Sequence, residues 1–284
     1  MNSNGIESER VAVVGGGAAG FFAAIAAAGY FAEHRRDGDP PPPEITIFEG
    51  NRRPLNKVRI SGGGRCNLTH ACFDPRELIE HYPRGARALK GVFARFQPRD
   101  TIEWFGGRGV ETKTEADGRM FPVSDDSETI VQCLLSAARE AGVELRTGCA
   151  VTGIAQMDPE LKQIRLGFKD EPPEIFDRVI LAAGGSPATF DLAAGAGHSI
   201  VSPAPSIFTF AVDDVRIADL PGLAVEGALV RLPQAKLEAA GPVLITHWGF
   251  SGPAVLRLSA FGARDLYQAN YQMELRINWR GGEN

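Results

Sequence analysis

Four apolar, mostly β-branched residues, Val11-Ala-Val-Val14, run directly into Gly15-Gly-Gly17-Ala-Ala-Gly20 and then into an alanine-rich helical pattern. This order predicts a buried strand, a tight turn and a helix over about 18–31. A second apolar run, Ile45-Thr-Ile-Phe48, predicts another strand. It is reached across the charged stretch 32–44, whose four prolines can continue neither helix nor strand. Residues 1–10 are polar and are expected to fray.

Further along, helical patterns cover 74–82 and 86–96, and a third helix opens at Arg99–Phe105 behind an Asp100 cap, which makes about 74–110 a helical excursion from the sheet. Residues 111–114 and 119–123 predict a hairpin around Asp117-Gly118, and 127–141 an amphipathic helix capped by Asp126 or Ser127 and ended by Gly142. Residues 143–147 and 150–154 are expected to return to the sheet, 164–168 and 174–176 to form a surface β-ribbon, and Arg178-Val-Ile-Leu181 to be another apolar strand with a glycine exit. From about Pro203 the texture changes to short alternating runs at 207–212, 223–232 and 243–246 separated by Pro and Gly, which predicts an antiparallel β domain. Within it, Thr246–Pro253 reads as a polar turn, 254–263 as a short helix and 273–279 as a further strand.

The Gly-x-Gly-x-x-Gly turn adds chemistry to this layout. Gly15 suits the tight turn, Gly17 lets a pyrophosphate approach the backbone, Gly20 lets helix and strand pack closely, and the free N–H groups of the first helical turn face the phosphates. Glu49, at the end of the second strand, is the acidic residue that such a fold uses for a ribose hydroxyl. It stands 34 positions after Gly15, against the usual roughly 20, because the proline-rich insertion lies between them. Ser61-Gly-Gly-Gly64-Arg-Cys-Asn67 has little packing capacity but is dense in backbone N–H groups, a guanidinium and an amide, which suits an anion or a polar ligand chain; a flexible loop is the alternative. The glycine exit at 183–185 lies on the same carboxyl edge of a parallel sheet as the nucleotide turn, so Ala183 and Gly184 approach the ligand.

With 284 residues, 44% of them hydrophobic, the chain can bury a sizeable core. A net charge of −5 gives no chain-wide attraction to nucleic acid or anionic membrane, and a small-molecule substrate is expected instead. Cys66, Cys72, Cys133 and Cys149 form no Cys-x-x-Cys pair, so neither a metal site nor a dithiol motif is read from them, and a reducing compartment, the cytoplasm, is expected. Cys66 reads as a lining residue rather than a redox thiol. His247 reads as a turn histidine, with proton donation as the alternative, and the pairs Asp125-Asp126 and Asp213-Asp214 as a helix cap and a solvated turn.

Val14–Gly20 and Ile60–Thr69, followed in order by Gly118–Ser124, Val179–Gly185, Gly197–Pro205 and Thr246–Leu256, resemble the HI0933-like bacterial flavoproteins, also called BaiN/RdsA-type NAD(P)/FAD-dependent oxidoreductases, which include the aminoacetone-oxidase-family FAD-binding enzymes. The resemblance implies an α/β fold: a Rossmann-like FAD/NAD(P)-binding domain over 1–202 and an inserted, mostly antiparallel β domain over 203–284 that supplies the substrate-side wall. It implies FAD as cofactor and NAD(P)H as reductant. On this reading Gly15, Gly17, Ala18, Ala19 and Gly20 hold the pyrophosphate and Glu49 with Gly50 the ribose. Lys57, Arg65 and Asn67 surround the phosphates and ribityl chain, Ser61, Gly64 and Cys66 of the same loop also bind the cofactor, and Val151 meets the adenine through its backbone. No catalytic side chain is assigned. Members of the family continue past residue 284, so the chain is expected to be C-terminally incomplete, and the stretch between Gly185 and Gly197 is shorter than usual. Two other readings stay open: an NAD(P)-only dehydrogenase, against which the second glycine loop speaks, and a non-catalytic nucleotide-binding fragment. No motif selects a substrate, NADH over NADPH, or an oligomeric state.

Overall fold

The computed structural model describes residues 8–158 and 163–281. The chain divides into two compact units, Met1–Glu80 with Arg87–Ile200 and His81–Ala86 with Val201–Asn284. Of the expected frayed segment, residues 1–7 lie outside the described residues, whereas Glu9 and Arg10 are tied down. Glu9 pairs with Arg178 at 3.0 Å, and the Arg10 N–H donates to Asp177 at 2.7 Å.

Up to residue 200 the elements are β1 (Arg10–Val14), α1 (Ala18–His34), β2 (Glu44–Glu49), α2 (Asn56–Ile60), β3 (Thr69–His70), α3 (Pro75–Leu78), α4 (Ala86–Phe93), α5 (Pro98–Gly106), β4 (Thr112–Thr114), β5 (Arg119–Pro122), α6 (Ser127–Glu140), β6 (Glu144–Thr147), β7 (Val151–Asp158), β8 (Gln163–Phe168), β9 (Glu174–Phe176), β10 (Arg178–Leu181) and α7 (Pro187–Gly195). A parallel sheet runs in the order β10-β1-β2-β6, with Val11 opposite both Arg178 and Ile45. Successive side chains of a strand point to opposite faces. Val11, Val13, Ile45 and Ile47 therefore bury one face against Phe21, Ala24 and Ile25 of α1 and Ile130, Val131 and Leu134 of α6. Ala12, Val14 and Phe48 face the other way.

That second face explains two departures from the sequence reading. Residues 151–158 do not join the parallel sheet but form an antiparallel sheet β7-β8-β9, and this sheet is not a surface ribbon. Its alternating Ile154, Leu166, Phe168 and Phe176 cover Ala12, Val14 and Phe48, with the Phe48 ring 5.0 Å from Phe168 and 5.5 Å from Phe176. A parallel sheet with two apolar faces needs cover on both; α1 and α6 cover one, and the β7–β9 sheet with Leu192 of α7 covers the other. Three local differences follow from capping and packing. Helix α1 runs on to His34, whose ring stacks on Tyr30 at 4.2 Å. Helix α4 stops at Phe93. Helix α5 starts at Pro98, so Asp100 sits inside the first turn and its carboxylate reaches back to the Gln97 N–H at 2.7 Å. Asp126 caps α6 and Gly142, at φ +71°, follows its end.

The second unit contains β11 (Phe210–Ala211), β12 (Ala224–Leu232), β13 (Leu237–Thr246), β14 (Gly249–Ser251), α8 (Pro253–Phe261), α9 (Ala263–Gln268) and β15 (Arg276–Asn278). Its antiparallel sheet has the order β11-β14-β13-β12-β15 and buries Val230, Val243, Ile245 and Phe250 with Val255 and Leu258 of α8. The expected polar turn at 246–253 is tighter than read: His247 and Trp248 alone form the turn, and Gly249–Ser251 pairs back as β14. No helix among the described residues is long and apolar enough to cross a membrane.

Candidate functional site

A cleft of about 830 Å³ opens in the first unit beyond the carboxyl ends of β1, β2 and β10. That size falls within the roughly 300–1,000 Å³ of small-molecule sites. At its centre the chain turns from β1 into α1. Gly15 has φ +113° and its N–H donates to the Phe48 carbonyl at 2.8 Å; a Cβ there would stand 2.6 Å from the Ala182 carbonyl oxygen. Gly17 precedes α1 with no side chain capping the helix, and no acidic residue lies in the first turn. A Cβ on Gly17 would meet nothing within 4 Å. The unpaired N–H groups and the positive end of a 17-residue helix thus open onto free space beside Ala18 and Ala19, a place suited to an anion. Gly20 is not on the cleft wall. It lies behind the turn, where a Cβ would come 1.9 Å from the Gly15 carbonyl oxygen, so it sets the contact of helix with turn.

Glu49 is fixed from three sides. Its Oε2 accepts the Gly16 N–H at 2.8 Å, and its Oε1 accepts both the Asn51 N–H at 2.8 Å and the Asn51 Nδ2 at 2.6 Å. A carboxylate offers about four acceptor sites, so one on Oε2 is left for a hydroxyl donor in the cleft. The backbone on either side is held as well: the Cys149 N–H donates to the Glu49 carbonyl and the Gly148 N–H to the Asn51 carbonyl, each at 2.9 Å. This brings Gly50, Ala150 and Val151 onto the same wall.

The segment after β2 folds back over the turn. Leu55, buried and at φ +62°, donates its N–H to the Gly16 carbonyl at 2.8 Å and starts α2. Lys57 extends to within 3.5 Å of where a Gly184 Cβ would stand, and Gly184 itself has φ +82°. Lys57 and Arg53 line the cleft, and neither meets a carboxylate at ion-pair distance among the described residues. Burial lowers the pKa of Arg59, with the nearby Arg53 charge adding to the effect, and its guanidinium pairs with Glu128 of α6.

Ser61–Gly64 is one turn of 3-10 helix in which Gly62 and Gly63 are left-handed at φ +57° and +70°. Gly64 at φ +87° and Cys66 at φ +61° continue the pattern. A non-glycine residue in that region costs on the order of 1–3 kcal/mol, so the surroundings must hold Cys66 there. Ser61, Cys66 and Asn67 line the cleft, as do Ala183 and Gly184; Gly64 and Arg65 do not. Burial pushes the Cys66 thiol up, which keeps it protonated near neutrality and fits a lining role. Arg65 departs from the expected contact with phosphates: its guanidinium is engaged by Glu115 at 2.5 Å and lies over the Phe121 ring at 4.0 Å. Exposed His247 lies in the second unit, outside the cleft wall.

Several wall residues were not singled out in the sequence. Asn51, two positions after Glu49, carries a short amide that a search for acid-holding partners would flag. Ser186, Thr189 and Leu192 of the α7 region enter the wall after the glycine exit. Glu115 and Asp125, the partners of Arg65, are 50 and 60 positions away from it and carry no local signal.

The family described as HI0933-like protein Rossmann domain matches residues 9–247. The chain is 30% identical over 246 residues to the 3-dehydro-bile acid delta(4,6)-reductase of Clostridium scindens, covering 83% of this chain and 58% of that protein. It is 25% identical over 234 residues to the ribosomal RNA dihydrouridine synthase of Escherichia coli, covering 76% and 54%. Among solved structures, Thermovibrio ammonificans THI4 overlaps 93% of this chain and 91% of its own length at 13% identity, with a TM-score of 0.45. The chain spans about half the length of the curated relatives it matches. By the match over residues 9–247, the chain belongs to the HI0933-like Rossmann-domain family.

Proposed function

We propose that the chain is the FAD-binding part of a flavin-dependent oxidoreductase that passes electrons between NAD(P)H and a small organic substrate. One observation carries this reading: an uncapped helix N-terminus and a carboxylate with one acceptor site to spare share a single cleft. The cleft's residues fit an extended dinucleotide. The first turn of α1, with Gly17, Ala18 and Ala19, takes the pyrophosphate, and Lys57 adds a cation beside it. Glu49 accepts a ribose hydroxyl, Val151 offers its backbone to the base, and Ser61, Cys66 and Asn67 border the ribityl side. The flavin, when bound, supplies the electron transfer, while the protein orients it and limits water.

The names of the two relatives point to different substrates, a bile-acid derivative and ribosomal RNA, so membership of the family does not choose between them. We retain a small-molecule substrate and no nucleic-acid partner, on the net charge of −5, and a reducing cytoplasm, on the four free cysteines. The visible absorption spectrum of the purified chain, repeated after addition of FAD and gel filtration, tests the reading. Flavin bands at about one flavin per chain are expected. A colourless chain that retains no FAD overturns it, and retention of NADH in place of FAD favours the nicotinamide-only alternative.

A further inference from the structure

The Ser61–Asn67 loop faces the cleft with Ser61, Cys66 and Asn67, yet its one charged side chain, Arg65, points its contacts elsewhere. Arg65 Nη1 meets Glu115 Oε1 at 2.5 Å and Asp125 Oδ1 at 3.5 Å. Those carboxylates are shared: Glu115 also takes Arg119 at 3.3 Å, and Asp125 takes Lys113. The Arg65 guanidinium lies 4.0 Å above the ring of Phe121, which is fully buried. On the loop side of the same ring, a Cβ on Gly62 would come 2.8 Å from Phe121 Cε1 and 2.7 Å from the Asn67 N–H nitrogen. The Leu68 N–H donates to the Met120 carbonyl at 2.9 Å, and the Asn67 amide nitrogen, turned toward them, reaches the Thr69 and Met120 carbonyls at 2.9 and 3.2 Å. The loop is therefore held to the β4–β5 hairpin at Gly62, Arg65 and Asn67. Four of its seven residues, Gly62, Gly63, Gly64 and Cys66, hold positive φ, which glycine adopts freely but which Cys66 keeps only where its surroundings hold it.

We propose that Arg65 is a positioning residue for the cofactor: by clamping the loop to Glu115, Asp125 and Phe121 of the hairpin region, it presents Cys66 and Asn67 to the cleft without touching the ligand. This rests on the flavin reading for the identity of the ligand. On that reading the clamp serves the ribityl and flavin end, which Ser61, Cys66 and Asn67 border, and leaves the ribose and base to Glu49 and Val151. Its loss weakens a ligand that extends past the pyrophosphate and spares one that stops there.

The test compares the wild-type chain with Arg65→Ala, Arg65→Lys, Glu115→Gln and the double variant Arg65→Ala/Glu115→Gln. Affinities for FAD and for ADP are measured by calorimetry, with amide hydrogen exchange of residues 62–67 in the ligand-free chain. The expected result is an FAD affinity about tenfold weaker in Arg65→Ala and in Glu115→Gln, with the double variant no worse than either single one. ADP affinity stays within about twofold of wild type, exchange of the loop amides rises in each variant, and Arg65→Lys recovers only part of the loss because a single ammonium cannot reproduce the fork and the ring contact. Equal loss of ADP and FAD affinity in Arg65→Ala, with Glu115→Gln unaffected, would make Arg65 a phosphate ligand and overturn the clamp. Unchanged loop exchange in both single variants overturns it independently of any ligand. A wild-type chain that binds neither FAD nor ADP overturns the flavin reading, and with it the cofactor role given to Arg65.

Discussion

A methyl group added at Gly20 would lie 1.9 Å from the Gly15 carbonyl oxygen, whereas one added at Gly17, three positions earlier, would meet nothing within 4 Å. The two glycines answer to different demands, packing in one case and, on the proposed reading, ligand approach in the other. Gly20→Ala is expected to destabilise the chain by about 1–3 kcal/mol through overpacking, read as a lower midpoint in denaturant unfolding. Gly17→Ala should unfold at the wild-type midpoint, since its φ of −91° suits alanine, and yet bind FAD at least about tenfold more weakly because the methyl group occupies the ligand's approach. Glu49→Ala combines both effects. It leaves the Gly16 and Asn51 donors without their acceptor, at a cost of about 1–3 kcal/mol, and removes the proposed ribose partner, so thermal midpoint and FAD affinity should fall together. The positions of Gly15 and Glu49 on the cleft were legible in the sequence because each follows an apolar strand run at a chain turn. The role of Arg65 was not, since an arginine in a glycine loop reads equally as a ligand contact or as an anchor until its partners are known.

Among the elements, α1 and the hairpin carry the site in different ways. Phe21 is fully buried against the parallel sheet, and Phe21→Ala should cost about 3–5 kcal/mol in denaturant unfolding. The hairpin's contribution is electrostatic. The Lys113 ammonium beside Asp125, with Arg65 adding to it, holds that carboxyl below the usual carboxylate range. A carboxyl whose pKa is depressed on folding stabilises the folded state above its unfolded value and loses that contribution as pH falls through the lower folded value. Asp125 should therefore stay ionised as pH falls through the ordinary carboxylate range, and its share of the hold on Arg65 should be lost only below it. An NMR titration of Asp125 alongside the amide exchange checks the sign. The β1–turn–α1 unit and the hairpin at Asp117-Gly118 were legible because strand, turn and cap signals are all local. The β7–β9 layer was misplaced because alternation in Ile154, Leu166 and Phe168 says that one face is buried, but not against which partner; the apolar back of β1 and β2 decides that.

For the whole molecule, the cleft is built within the first unit alone, from β1, β2, β10 and the segments that follow them. The net charge of −5 predicts that ribosomal RNA binds only weakly, with little dependence on salt; a filter-binding titration with a steep fall in affinity between low and physiological salt would contradict the small-molecule reading. The division into α/β and antiparallel regions was visible in the change of texture near Pro203, whereas the grouping of 81–86 with the second unit was not, because a short stretch between helical patterns carries no mark of what it packs on. The contact between Arg65 and Glu115 also has a consequence in time. The two are 50 positions apart, and at a synthesis rate of about 5–20 residues per second Glu115 follows Arg65 by roughly 3–10 s. During that interval the glycine loop has its full sequence but not the scaffold that gives it shape. The nucleotide end closes later still, because Val151 and the Cys149 N–H that donates to the Glu49 carbonyl follow the hairpin in sequence, so a nascent chain acquires the scaffold of its glycine loop before the adenine side of the cleft is complete.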